Sequence, residues 1–241
     1  MTLQSILSIL YPAQCIACEN LIAEDAALCP DCWRDTPFIQ GAVCHKCGAP
    51  LMGDAPGDET AKCDDCLVTE RPWDSGTSVL VYKGITRRLI LAFKHGDRQD
   101  LVRPFAVWAA SKIRANLGEG DVLIPVPIHW RRLIKRRYNQ SSLVAHQIAA
   151  LTGAKFMPDA LVRTRHTKPQ EGLSFQERFD LQRGTIRTHP TRSKELAGRR
   201  VFIVDDVMTS GATMSVAARA AKSAGATKVH TITLARVVKE H

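Results

Sequence analysis

The chain of 241 residues has no cysteine after residue 66, and before residue 73 it has just four basic side chains, Arg34, Lys46, Lys62 and Arg71. It has no G-x-x-x-x-G-K-[ST] loop, which excludes a P-loop nucleotide site. It has no apolar stretch near the roughly 20 residues that a membrane-spanning helix needs, so no membrane insertion is expected. The opening residues, "MTLQSILSILYPAQC", lack a basic leading region and a small-residue cleavage site, and so do not read as a secretory signal. Leu3, Ile6, Leu7 and Leu10 are instead spaced for a short amphipathic helix that packs on the body. The expected compartment is the cytoplasm.

What is present is divided sharply. Residues 1–72 carry 4 Lys/Arg against 11 Asp/Glu, a formal −7, whereas residues 73–241 carry 29 against 13, a formal +16. Two units with different tasks are expected, with boundaries 1–72 and 73–241. The basic unit should attract anions such as nucleotides, polyphosphates or nucleic acid. The acidic unit is a poor candidate for binding nucleic acid unaided.

The acidic unit holds all eight cysteines, as Cys15-x-x-Cys18, Cys29-x-x-Cys32, Cys44-x-x-Cys47 and Cys63-x-x-Cys66. Each C-x-x-C puts two thiolates on one tight knuckle, shaped for two corners of a tetrahedron. Eight thiols supply two closed four-thiolate zinc sites with none left over. The knuckles are separated by 10, 11 and 15 residues, which fits ribbon-type loops. Disulfides would need an oxidising compartment, and an iron–sulfur cluster is a further alternative. Four knuckles can be joined in three ways. Sequential pairing is the favoured one, Cys15, Cys18, Cys29 and Cys32 in one site and Cys44, Cys47, Cys63 and Cys66 in the other. His45, inside "CHKC", reads as a spare exposed histidine. A segment this short and polar has little core, so metal would supply its folding free energy. "MGDAPGDETA" (52–61) reads as a polar loop and "VTERPWDSG" (68–76) as a linker.

From Thr77 onward, strand and helix patterns alternate. "TSVLVYK", "DVLIPVP" (121–127), "VFIVDD" and "KVHTITLAR" read as strands. Apolar spacing predicts helices over 85–93, 101–117, 139–151 and 213–224, with "KHGD" interrupting the first pair and Gly153 and Gly225 closing the last two. Such alternation argues a parallel, doubly wound α/β sheet, whose ligands sit outside the carboxyl ends of the strands.

One stretch, "VFIVDDVMTSGATMS" (201–215), carries the chemistry. The strand is expected to end with Asp205 and Asp206 emerging at its carboxyl end. Thr209, Ser210, Gly211, Ala212 and Thr213 then turn into a helix, whose free N–H groups and positive dipole end favour a phosphate. Gly211 would let backbone approach the ligand closely, and the hydroxyls add donors. Carboxylates touching that phosphate would repel it. They make sense holding a sugar diol or a Mg²⁺ ion belonging to the same ligand. A ribose 5-phosphate presents a diol at one end and a phosphate at the other.

This stretch resembles the signature of type I phosphoribosyltransferases, which bind phosphoribosyl pyrophosphate (PRPP) with Mg²⁺. Together with the four-knuckle zinc segment, the chain is similar to the ComF family, which includes competence-associated proteins. The resemblance covers essentially the whole chain. "PVPIHWRRLIKRRYNQ" (125–140) and "RTRHTKPQEGLSFQERFD" (163–180) look like further family blocks. It implies a type I phosphoribosyltransferase-like sheet with flanking helices, preceded by a small zinc ribbon. It also implies that Asp205 and Asp206 face the ribose hydroxyls, directly or through Mg²⁺, and that residues 209–213 cradle the 5-phosphate. Lys94, His95 and Gly96 of "FKHGD" would form the pyrophosphate loop. Residues 163–180 would be a mobile hairpin closing over PRPP, with Gln170 and Arg178 as its polar contacts. The implied reaction is phosphoribosyl transfer to an unidentified acceptor, with pyrophosphate released.

The chain departs from the pattern in places. The family block usually reads Arg-Gly-Phe-Asn-Gln, and here Arg137 replaces the glycine and Tyr138 the phenylalanine. Arg137 is not expected to take a positive φ, so that turn should differ. Thr209 stands where purine-salvage relatives place an aspartate as general base, so the loop offers no base for a nucleobase ring. Nothing in the sequence resembles a glutaminase domain, so glutamine-dependent amide transfer is not supported. Arg131, Arg132, Lys135, Arg136 and Arg137 put five basic residues in seven. They read either as a solvated face or pyrophosphate-side wall, or as a contact for single-stranded DNA with Trp130 and Tyr138 as stacking platforms. On that second reading the protein would be a cytoplasmic partner of a DNA-uptake helicase or translocase.

Overall fold

The computed structural model describes residues 12–53, 60–167 and 172–238. The helix expected at residues 3–10 lies outside them. The elements in chain order are α1 (Pro30–Asp35), α2 (Asp64–Val68), β1 (Ser75–Val81), α3 (Gly84–His95), α4 (Val102–Ile113), β2 (Val122–Pro125), α5 (Trp130–Arg136), α6 (Gln140–Thr152), β3 (Lys155–Phe156), β4 (Leu161–Arg163), α7 (Phe175–Gln182), β5 (Ile186–Thr188), β6 (Arg200–Met208), α8 (Ala212–Ser223) and β7 (Lys228–Arg236).

Five strands form one sheet in the order β1-β7-β6-β2-β3, and every neighbouring pair is parallel. This is the parallel sheet with flanking helices that the alternation predicts. Its strands are apolar on both faces because both faces are covered. On β6, Phe202 and Val204 pack to one side while Val201 and Ile203 pack to the other. The first face carries α3, α4 and α6, through Leu89, Ile90, Phe93, Phe105 and Ile148. The second carries α8 and the antiparallel pair β4–β5, through Met214, Ala217, Leu161 and Ile186.

The eight cysteines gather into two sets, Cys15, Cys18, Cys29, Cys32 and Cys44, Cys47, Cys63, Cys66, each with its Sγ atoms within 4.8 Å of one another. This is the sequential pairing. None is in a disulfide. The Cys18–Cys29 and Cys47–Cys63 sulfurs lie 3.6 Å apart, close to the roughly 3.8 Å edge of a tetrahedron with 2.3 Å Zn–S bonds. Four thiolates with no open position fit structural zinc. His45 is half-buried rather than exposed and belongs to neither set.

The two sets pack on opposite faces of the sheet. Cys15, Cys29 and Cys32 join the core under α3 and α4, whereas Cys44, Cys47 and Cys66 join the core under α8. Between them, residues 37–39 run antiparallel to β1: Ile39 N–H donates to Val79 O and Val81 N–H to Pro37 O, both at 2.9 Å. The CHKC knuckle lies so close to β1 that a Cβ on Gly48, at φ +67°, would come within 2.3 Å of the Ser78 nitrogen.

Three sequence expectations need correction. Residues 68–76 are not a free linker, because Trp73 is 1% exposed and Arg71 5% exposed. The second long helix spans 102–113, flanked by 3₁₀ turns at Gln99–Leu101 and Arg114–Asn116. Asp205 and Asp206 do not follow β6 but lie within it, since the strand pairs with β7 as far as Met208. The pattern of four apolar residues marks where the strand is buried on both faces, and pairing continues past that point.

Candidate functional site

The carboxyl ends of β2 and β6 open into a cavity of about 380 Å³, lined among others by Lys94, Asp205, Asp206, Thr209 and Thr213. Beside it is a smaller space of about 20 Å³, walled by Thr209, Gly211, Ala212 and Thr213. Asp205, Thr209 and Thr213 line both spaces, Asp206 the larger, and Gly211 and Ala212 the smaller.

Lys94 Nζ lies 2.9 Å from Asp206 Oδ1, both largely buried. Asp205 Oδ1 accepts from the Ser141 hydroxyl and the Asp206 N–H, each at 2.9 Å. Burial, with the Asp206 charge adding to it, pushes the Asp205 carboxyl up to about 6, while Lys94, the Asp206 N–H and Ser141 act the other way. A second cation beside this pair would relieve the repulsion. The oxygen-rich donor set suits Mg²⁺, with Asp205 and Asp206 the residues that would hold it.

The block at residues 125–140 builds the wall opposite. Asn139 Nδ2 donates to Val126 O at 3.1 Å, and the Tyr138 hydroxyl to Phe93 O at 3.0 Å. Gln140 Nε2 also donates to Phe93 O, at 3.3 Å, so the turn grips the end of α3 where Lys94 projects. Arg137 closes α5 at φ 67°, left-handed as a glycine would be, contrary to expectation. The turn is fixed by its neighbours, and the arginine takes the strain, roughly 1–2 kcal/mol.

The basic run divides by direction. Arg132 and Arg136 line the cavity. Arg131, Lys135 and Arg137 are exposed, as is Trp130, with the Arg131 guanidinium 5.3 Å from its ring centre. Tyr138 is half-buried against Phe93, so it is not a free stacking platform.

The other expected residues split as well. Arg178 on α7 lines the cavity. Ser174 and Glu177 fix the start of that helix through a capping box. His95 and Gly96 are exposed at the end of α3 and line neither cavity, and Ser210 lines neither. Gln170 lies outside the described residues. Gly211 has φ 81°, and the space a side chain would fill is taken by Arg71 and Trp73. A Cβ there would sit 2.8 Å from Arg71 Nη1 and 3.2 Å from the Trp73 ring.

The sequence reading missed four residues. Arg163 lines the cavity and is held by bonds to Pro127 O (3.0 Å) and Gln182 Oε1 (3.2 Å). His129, also lining it, accepts the Arg131 N–H at Nδ1, 3.2 Å, which leaves Nε2 as the protonated nitrogen of the neutral ring. Desolvation, then His166 and Arg131, hold its pKa below the usual value. Ser141 and Tyr82 complete this group. Arg163, His129 and Ser141 fall in or beside blocks already singled out, and a count of polar residues there would have flagged them.

Family models match the chain in two places: "Double zinc ribbon domain" over residues 6–67 and "Phosphoribosyl transferase domain" over residues 134–240. Competence protein F of Haemophilus influenzae is 27% identical over 229 residues, covering 92% of this chain and 96% of that protein. DNA utilization protein YhgH of Escherichia coli K12 is 26% identical over 94% of this chain and 98% of its own length. Competence protein ComFC of Bacillus subtilis is 25% identical over 90% and 87%. Fold and cysteine sets together define a zinc-ribbon protein built on a phosphoribosyltransferase-type sheet. With relatives of these names aligned along nearly its full length, the two matched domains support a ComF family assignment. Among the described residues no helix is long and apolar enough to cross a membrane.

Proposed function

We propose that the protein binds PRPP with Mg²⁺ in the cavity at the ends of β2 and β6, and transfers its phosphoribosyl group to an acceptor nucleophile. The observation that carries this reading is the opening of an acid pair and a helix N-terminus into one cavity, with a lysine paired to one of the acids. The N–H groups at the start of α8, with Thr209 and Thr213, take the 5-phosphate. Asp205 and Asp206 take the ribose diol. Lys94, Arg132, Arg136, Arg163 and Arg178 surround the remaining volume with positive charge suited to a pyrophosphate. In the reaction, the bond from ribose C1 to the pyrophosphate oxygen breaks, and pyrophosphate leaves with the electron pair. The acceptor bonds to C1 and gives up a proton. Bound Mg²⁺ would neutralise part of the pyrophosphate charge. The arginines and Lys94 stabilise that charge as it develops, and closure around the sugar excludes water from C1.

Calorimetry with PRPP and Mg²⁺ tests the pocket. The double variant Asp205→Ala, Asp206→Ala should lose PRPP affinity, and equal affinity in both proteins would overturn the reading. Released pyrophosphate, followed across a panel of amines and bases, then identifies the acceptor.

The relatives' names favour a role in DNA uptake and use, and one surface fits it. Trp130 is 58% exposed beside Arg131, Lys135 and Arg137, just outside the cavity. An exposed ring among cations suits single-stranded DNA. Binding measured against salt should weaken in Trp130→Ala, and no binding near physiological salt rejects this role.

A further inference from the structure

Two buried arginines run between the second cysteine set and the loop at residues 208–211. Arg71 donates through Nε to Cys66 Sγ (3.4 Å) and through Nη1 to Ser210 O (2.6 Å). Arg236, at the end of β7 and 2% exposed, donates through Nη1 to Met208 O (3.2 Å) and Thr209 O (2.5 Å), and its Nη2 lies 3.4 Å from Asp65 Oδ2. Asp65 sits next to Cys66 on α2. Each guanidinium keeps one buried nitrogen without a hydrogen-bond partner, Arg71 Nη2 and Arg236 Nε. Two such cations without a compensating charge would be strongly destabilising. Zinc with four thiolates carries a net double negative charge, and Cys47 and Cys66 belong to that set. Among the described residues, the first cysteine set has no such link to the loop.

We infer that Arg71 and Arg236 are positioning residues, which use the second zinc cluster as counter-charge to fix the carbonyls of residues 208–210. With those carbonyls held from behind, the N–H groups of the loop and of α8 face the cavity in one arrangement. Gly211 belongs to the same device, since any side chain there would occupy the place of Arg71. The consequence for ligand binding rests on the PRPP reading above, but the consequence for the loop does not.

The test compares Arg71→Ala and Arg71→Lys with the wild-type chain and with Cys18→Ser in the first set. Three quantities are read: zinc per chain, amide hydrogen exchange of residues 209–213, and PRPP titration with Mg²⁺. Arg71→Ala is expected to speed exchange in the loop and weaken PRPP binding by about ten- to a hundredfold, the loss of one charge-assisted bond. Arg71→Lys keeps the charge but cannot span thiolate and carbonyl together, and should fall between. Cys18→Ser should leave loop exchange and PRPP affinity unchanged. If Arg71→Ala does not fold, Arg71→Lys is read in its place. Loop exchange equal to wild type overturns the inference. Faster exchange in a protein that never binds PRPP overturns the PRPP reading and leaves the positioning role standing.

Discussion

The two cysteine sets have the same ligands and the same knuckles, yet they sit in different surroundings. In the first, Cys18 is exposed, and the main polar tie to the body is Arg98 Nη2 to Ile16 O at 3.3 Å. In the second, Cys44 and Cys47 are fully buried, and two arginines lead from the set to the loop at residues 208–210. Identical metal chemistry therefore does two jobs. One set folds a surface ribbon against α3 and α4. The other underlies the loop that borders the cavity.

The comparison breaks most visibly at the sulfurs. Cys47→Ser should lower unfolding free energy by about 3–5 kcal/mol, because it takes the cluster's charge away from buried Arg71 and leaves Arg236 with Asp65 alone. Cys18→Ser should also lose metal but leave the sheet and cavity intact. Thermal unfolding together with zinc content separates the two, and equal losses would erase the distinction. The next effect lies at the acids. Asp205 is raised from 3.8 to about 6, so the folded chain keeps a proton that the unfolded chain releases between those values. Its contribution to stability is present below about pH 4 and is lost as pH rises through about 6. Asp205→Asn keeps an oxygen to accept the Ser141 and Asp206 bonds. It should therefore be more stable than wild type by about 3 kcal/mol near pH 8 without Mg²⁺, and not at pH 4. Unfolding midpoints at both pH values check this, and a difference independent of pH would refute it. The smallest effect concerns neither set. Arg137→Gly relieves a left-handed residue and should raise stability by about 0.5–1 kcal/mol. A melting rise with zinc content and loop exchange unchanged would mark that turn as independent of both clusters.

Much of this was legible in the residues. The cysteine spacing implied two four-thiolate sites, with sequential pairing the favoured of three joinings. The apolar runs at 201–204 and 122–124 marked buried strands, and "DDVMTSGAT" marked the strand end that borders the cavity. What was not legible depends on distance along the chain. Arg71 meets Ser210 across 139 positions, and Arg236 meets Asp65 across 171. Nothing local distinguishes such an arginine from a solvated one. The strand β6 overran its apolar run because hydrogen bonding to β7 fixes its end, not hydrophobicity. The turn at Arg137 is held by bonds to α3, which outweigh a local preference. Strands β4 and β5, three residues each, are too short to leave a period.

The strip at residues 37–39 has a consequence for solubility. β1 is one border of the sheet, and a bare border is a template on which another chain can add a strand. The ribbon occupies that template with three residues of its own. A fragment beginning at residue 73 would present Val79 and Val81 with open backbone groups, inviting filaments rather than a smaller version of the protein. The zinc ribbon thus also guards against self-association.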